Sequence, residues 1–139
     1  MTQNHQADLS NAEQLRAASG IDALSVSAAW KQKFRLIEKA GLPKPNLKAL
    51  SMGERVRVGF NVMAFLFGPI YYLAKGMWKK ALSLLLVSLS IVVALSAVLH
   101  LAGLDRMAHA VSYGMAGFFA ARANLDYYRK LVLGDNGWW

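Results

Sequence analysis

The sequence contains no cysteine, which removes disulfide scaffolds, thiolate zinc sites, iron–sulfur clusters and cysteine nucleophiles at once. Acidic residues are scarce as well: eight Asp and Glu stand against sixteen Lys and Arg in 139 residues, leaving a formal charge of +8. Charge of either sign is thin, at 17% of residues against 55% hydrophobic. Long uncharged stretches separate short basic ones, which fits membrane segments with basic flanks better than an evenly charged soluble domain. Nothing matches a phosphate-cradling glycine loop, a zinc pattern or a Ser-His-Asp arrangement with supporting context. The basic residues sit beside apolar runs, so nucleic acid is not expected as a partner.

Residues 1–26 are polar and small and carry the single basic residue Arg16. They lack the apolar core of a secretory signal, so the stretch reads as a mobile arm and not as a cleaved leader. Ser10 and Glu13 have capping spacing for a helix through Ala18, a piece too short to hold alone in water. From Ser27 the pattern becomes helical. Trp30, Phe34 and Ile37 recur at spacings of four and three, with Lys31, Lys33, Arg35 and Lys39 elsewhere around the cylinder. Two uses of this basic amphipathic helix stay open: its apolar stripe lies on an anionic membrane surface, or it packs on the rest of the protein. Gly41 and Pro43 end it, and the stretch to Leu50, with Pro45, reads as a connector.

Ser51 and Glu54 have the spacing of a capping box and open the next helix. Arg55 and Arg57 then precede an apolar run of twenty residues from Gly59 to Trp78, broken near its middle by Gly68-Pro69 and carrying Lys75 near its end. Proline removes a helical N–H and crowds the preceding turn, so the run is a kinked span or two half-helices meeting at the break. Ala81 to Leu101 is less ambiguous: of its twenty-one residues thirteen are Leu, Ile or Val, and His100 is its one ionisable group. At about −0.3 to −0.6 kcal/mol each those residues favour insertion by roughly 4 to 8 kcal/mol, and the helix is about 31 Å long, which matches the hydrocarbon core. Met107 to Ala121 is a further uncharged run of fifteen residues. It reaches spanning length by continuing to Tyr128, with Arg122 snorkelling and Tyr127 and Tyr128 at the headgroups. The two helices are expected to pack through small residues, Ala110, Gly114, Gly117 and Ala121 on one and Ser83, Ser90, Ala94 and Ala97 on the other.

Basic residues choose between topologies. Four precede the broken run (Lys44, Lys48, Arg55, Arg57), three follow it (Lys75, Lys79, Lys80), one lies in the next turn (Arg106) and three end the last run (Arg122, Arg129, Lys130). If all three runs cross, the two sides carry five and six; if the broken run returns to its own side, they carry ten and one. The second distribution is an orientation signal. The expected fold is an all-α membrane protein: a transmembrane helical hairpin preceded by a Gly-Pro-broken re-entrant or spanning segment and a basic cytoplasmic amphipathic helix. Both termini are expected to be cytoplasmic. In chain order these are an arm (1–26), the amphipathic helix and connector (27–50), a membrane domain (51–130) and a tail (131–139).

Two motifs carry a resemblance. Phe60-Asn61-x-x-Ala64-Phe65-x-Phe67-Gly68-Pro69-Ile70-Tyr71-Tyr72-Leu73, followed by Lys75-Gly76-Met77-Trp78, and the later Asn124-x-x-Tyr127-Tyr128-x-Lys130 resemble a family of small bacterial inner-membrane proteins known as a domain of unknown function. The resemblance covers roughly Ser51 to Lys130 and implies a multi-pass protein of the bacterial inner membrane; it supplies no substrate. Asp126 departs from it, standing where an apolar or aromatic residue is expected.

The candidate residues follow from these segments. Asn61 and Lys75 are polar groups on the broken run, and each either holds the Gly68-Pro69 break or lines a small aqueous dip, or else Asn61 caps backbone and Lys75 snorkels. Tyr71, Tyr72, Trp78, Tyr127 and Tyr128 read as an interfacial aromatic belt, with an aromatic ligand cage as the alternative. Trp30 and Phe34 are the apolar anchors of the basic helix, and Asn124 heads the second motif. His100, Asp105 and His109 gather at the outer turn, where a metal or proton site is conceivable, although the spacing matches no known ligand set. His5 lies in the arm. No cofactor, no bound metal and no enzymatic activity are expected. The leading functional expectation is an interaction or scaffolding protein whose cytoplasmic helix meets anionic lipid headgroups, a protein partner or a second copy. An oligomeric transport or channel component using the Gly68-Pro69 break is the alternative, and an enzyme using the His100 and Asp105 side is a third.

Overall fold

A computed structural model describes residues 20–42 and 45–139, and among these the regular structure is entirely helical. The helices are α1 (Ala28–Ala40), α2 (Met52–Gly59), α3 (Val62–Phe67), α4 (Pro69–Ala74), α5 (Trp78–Leu101) and α6 (Asp105–Val132), with a short 3-10 turn at Leu47–Ala49. The expected helix over Ser10 to Ala18, His5, and the connector residues Pro43 and Lys44 lie outside the described residues.

The local signals explain most boundaries. Gly41 ends α1 at φ 84°, and the Ser51 hydroxyl and Glu54 carboxylate form both halves of the capping box that opens α2. Gly68 closes α3 and opens α4 at φ 48°, a value L side chains rarely adopt, while Pro69 takes the first helical position, where its missing N–H breaks no bond. The Gly68 N–H still donates to the Ala64 carbonyl. The broken run is therefore two half-helices of six residues, each about 9 Å long.

The half-helices reverse direction against α6. Asn61 donates its backbone N–H to Ala120 O, Gly68 faces the Phe119 ring, Tyr72 reaches Asp126 and the Lys75 carbonyl accepts from Lys130. Around the tip, Phe65, Phe67 and Pro69 share a pocket with Ser112, Met115 and Phe119. The chain thus climbs α6 from the level of Asn124 to that of Phe119 and descends again to Lys130.

α5 and α6 pack side by side across a turn containing Gly103 at φ 71°. Among the described residues α5 alone is long and apolar enough to cross a membrane, with mean hydropathy 2.7 over its best eighteen residues. α6 is longer, 28 residues, but carries Arg122, Asp126, Arg129 and Lys130. The stripe that joins them differs from expectation. On α5 it runs through Lys80, Ala81, Leu84 and Ser88, while Ser90, Ala94 and Ala97 are exposed. On α6, Ala110, Gly114 and Ala121 are exposed, and a Cβ at Gly114 or Gly117 would meet nothing within 4 Å. Between the two helices lies the buried Lys80–Asp126 ion pair, while the Tyr72–Phe119 ring contact (6.0 Å) joins α4 to α6.

The core has two joined parts. One gathers Ala64, Tyr71, Tyr72, Met77, Ala81, Leu84, Phe119 and Ala123; the other gathers Ile21, Phe34, Ile37, Leu50, Val58 and Tyr128, with Trp30 and Tyr127 touching both. The apolar stripe of α1 therefore packs on the protein itself. Ile21 is fully buried in this cluster and residues 20–23 are helical, so the end of the stretch expected as an arm packs on the body as well. Residues 133–139 fold back on α5, where Trp138 meets Trp78 edge to face at 5.7 Å and its carbonyl accepts from the Ser83 hydroxyl.

Candidate functional site

The polar groups converge at one end of the α5–α6 pair, in three adjoining sets. The first is an amide knot. Asn61 caps α3 by accepting the Ala64 N–H at 3.1 Å, and its side-chain NH₂ donates to Asn124 Oδ1 at 2.8 Å and to the Tyr71 hydroxyl at 2.9 Å. Asn124 then turns its own NH₂ onto the carbonyls that end α2, Val58 O at 2.8 Å, Arg57 O at 3.2 Å and Phe60 O at 3.3 Å. A helix C-terminus leaves such carbonyls without partners, and one buried amide supplies them here. Both asparagines are buried, and the knot ties α2, α3 and α4 to α6.

The second set is ionic and was only half visible in the sequence. Asp126 and Lys80 are both buried, with Lys80 Nζ 3.5 Å from Asp126 Oδ1, a contact in which neither atom makes a hydrogen bond. The other carboxylate oxygen accepts from Arg122 Nε at 3.2 Å and from the Tyr72 hydroxyl at 3.1 Å. Where an apolar or aromatic residue is expected, Asp126 is buried with Lys80, one of the basic residues flanking the long apolar run, opposite it. In the sequence Lys80 counts only as a flanking charge, because a lysine at the foot of a span normally points to water.

The third set is aromatic and cationic. Trp30 packs edge to face on Tyr127 (4.7 Å between centroids) and is tilted against Phe34 (5.6 Å), which in turn meets Tyr128 (5.5 Å). The Tyr128 hydroxyl donates to Glu38, whose carboxyl burial pushes above its usual range against the pull of that hydroxyl and of Arg35. Lys75 Nζ lies over three rings, Tyr127 at 4.7 Å, Trp30 at 5.0 Å and Tyr71 at 5.8 Å, and Lys33 Nζ lies 4.7 Å from the centroid of the Trp30 ring. Partial burial, then the positive charges of Arg57 and Lys75, hold the Lys33 ammonium below the ordinary lysine range. These cations border a pocket of about 240 Å³.

The structure thus brings together ten of the expected residues: Asn61, Asn124 and Tyr71; Tyr72; and Lys75 with Trp30, Phe34, Tyr127 and Tyr128, beside the Gly68 turn on Phe119. The two quoted motifs face one another, since Asn61, Tyr71, Tyr72 and Lys75 of the first meet Asn124, Tyr127 and Lys130 of the second. Pro69 sits at the tip among apolar side chains, and Trp78 pairs with Trp138 outside the set. At the opposite end of the helix pair, His100 Nδ1 and Asp105 Oδ1 are 2.6 Å apart and both exposed. Among the described residues no group of three His, Asp or Glu side chains comes together as metal ligands.

A family model described as a protein of unknown function (DUF2628) matches residues 7–132. The "Uncharacterized protein YigF" of Escherichia coli (strain K12) is 32% identical over 124 residues, covering 82% of this chain and 91% of the relative. The protein of the same description from Salmonella typhimurium is 29% identical over 123 residues, with the same coverage. No solved structure matches the chain.

Proposed function

The chain belongs to the DUF2628 family, and on that premise we propose that it is a small inner-membrane interaction protein: α5 and α6 form a membrane hairpin, α3 and α4 a re-entrant wedge, and α1 and α2 a cytoplasmic cap that docks partners at the anionic membrane surface. The observation that carries this reading is the distribution of exposed apolar groups. Leu66, Phe67, Ile70 and Leu73 on the half-helices, and Leu86, Leu89, Val93 and Val98 on α5, are each more than half exposed. A surface of that size is an aggregation hazard in water and unremarkable in lipid.

The re-entrant assignment rests on the reversal at Gly68-Pro69. Both ends of the broken run meet the same stretch of α6, and a tip about 9 Å away reaches roughly a third of the way into a 30 Å hydrocarbon core. The lost helical continuity is compatible with that depth, because the Gly68 N–H keeps its bond to Ala64 O and Pro69 at the first helical position has no N–H to lose. With the run returning, the basic residues fall ten to one across the membrane, so both termini belong to the cytoplasm.

The part offered to a partner is the outer face of α1. Phe34 is buried, which leaves Lys31, Gln32, Arg35 and Lys39 outward, with Arg35 paired to Asp22 and Lys39 to Glu54 at 3.0 Å. The interaction reading is favoured over transport because the break is lined by Phe65, Phe67 and Phe119 with no charged group. No enzymatic role is proposed. In-cell photo-crosslinking from Gln32, read by mass spectrometry, tests the proposal: a discrete partner band is expected, lost when Lys31 and Arg35 are both changed to Glu while the helical spectrum is kept. A crosslinking pattern indifferent to that reversal, or ion flux in liposomes abolished by Pro69→Ala, contradicts it.

A further inference from the structure

We propose that the pocket between the start of α1 and the α3–α4 break binds the phosphate of an anionic phospholipid, with the acyl chains lying along the outward face of α3. The proposal deepens the membrane reading and rests on it. Four kinds of donor converge on the pocket. Lys33 and Lys75 both line it, no ion pair among the described residues involves either, and no carboxylate is among its lining residues. Ser27, the N-cap of α1, also lines it; its hydroxyl makes no capping hydrogen bond, and the first turn of this 13-residue helix carries no acid to answer the dipole. Tyr71 is 8% exposed and accepts from Asn61, and among the described residues its hydroxyl proton has no acceptor.

Such a site is over-supplied with donors and positive charge and has no anion of its own. Asn61 and the three rings around Lys75 hold the donors in place, so a phosphate entering the pocket meets preformed partners. Two ammonium groups match a phosphodiester with its single charge and leave the surplus that drew it there.

The rim distinguishes a lipid from a soluble phosphate. Met63 lines the pocket and is more than half exposed, and Val62 and Leu66 continue the exposed apolar surface beyond it. A headgroup in the pocket therefore has an apolar track for its chains, whereas a free phosphate leaves that track uncovered.

The test uses the full chain in neutral detergent, titrated with phosphatidylglycerol, phosphatidylcholine, glycerol phosphate or inorganic phosphate and read by native mass spectrometry. One phosphatidylglycerol per chain is expected, held at least about tenfold more tightly than the other three. Lys33→Gln and Lys75→Gln should each weaken it by about tenfold, as expected for loss of a charge-assisted hydrogen bond, and Lys31→Gln by less than about twofold. Lys33 makes no ion pair among the described residues and stands near the positive charges of Arg57 and Lys75, so its variant should keep the parent melting temperature without lipid even if Lys75→Gln perturbs the rings around it. Equal binding of phosphatidylglycerol and phosphatidylcholine, or equal effects of Lys33→Gln and Lys31→Gln, overturns the proposal. Equally tight glycerol phosphate binding through the same lysines replaces the lipid by a soluble anion. Partition of the parent protein into cell membranes reports separately on the membrane reading: a protein that partitions there but shows no headgroup selectivity fails this inference alone.

Discussion

The two ends of the α5–α6 pair are built from the same helices and differ in almost everything else. At the capped end α5 buries Lys80, Ala81, Leu84 and Ser88 and α6 buries Phe119, Ala120, Ala123, Asn124, Asp126 and Tyr128. At the other end, from Leu89 to Phe118, no residue is buried at all. The capped end resembles the interior of a soluble protein, with paired charges, satisfied amides and edge-to-face rings. The bare end has helix but no core, and its apolar side chains are left to whatever surrounds them. On the proposed membrane reading, one chain divides its stability between protein packing at one end and the bilayer at the other.

Substitutions at the two ends should therefore behave differently. The largest loss is expected for Asp126→Leu or Lys80→Met, because the first strips the buried Lys80 of its counter-ion and the second leaves the buried Asp126 with Arg122 alone. About 3 to 5 kcal/mol should disappear from unfolding in detergent, and the double substitution should recover part of it. Next comes Asn124→Ala, which removes one acceptor from the Asn61 NH₂ and the side-chain donor from the α2 carbonyls; a loss of roughly 2 to 3 kcal/mol is expected by chemical denaturation. Gly76→Ala should follow at about 1 to 2 kcal/mol. There φ is +69°, and an added Cβ would stand 2.6 Å from Lys130 Nζ, which holds the Lys75 carbonyl.

At the bare end, Leu95→Ala should change unfolding by less than about 0.5 kcal/mol. Val93→Arg should instead oppose insertion by roughly 2.5 to 3.5 kcal/mol, seen as protein lost from the membrane fraction. Equal sensitivity at the two ends would remove the distinction between them. The smallest effect is a pH dependence at the capping box. The Ser51 N–H and then Lys39 hold the Glu54 carboxyl below the usual carboxylate range. Its contribution is complete above the unfolded value of about 4.3 and vanishes as pH falls through the lower folded one. A melting series from pH 6 to pH 3 should show a shallow loss in the parent that Glu54→Gln flattens.

Much of the architecture was legible because it depends on local signals. The stripe of α1, the Ser51–Glu54 box and the Gly68-Pro69 break are short-range patterns, and each forms as its spacing implies. Asn61 and Asn124 were marked by polarity within apolar surroundings, yet their hydrogen bond joins residues 63 apart and no periodicity encodes that. The Lys80–Asp126 pair was illegible for the same reason, since each charge alone has an ordinary explanation at the foot of a helix. The small-residue stripes misdirected the packing: α5 buries Lys80, Leu84 and Ser88 instead, and the Lys80–Asp126 pairing across the two helices is encoded in neither stripe. The anion pocket left its trace only as an excess of lysine, which in the sequence is indistinguishable from an orientation signal.

The measurement closest to the central claim uses the absence of cysteine. Single cysteines at Gln32, Gly103 and Asp135, all exposed positions, would be labelled in intact and in permeabilised cells with a membrane-impermeant maleimide. A re-entrant broken run beneath a two-helix hairpin predicts that Gly103→Cys is labelled in intact cells, while Gln32→Cys and Asp135→Cys react only after permeabilisation. Labelling of Gln32→Cys and Asp135→Cys from opposite sides would mean that residues 59–78 cross the membrane, and would contradict the account.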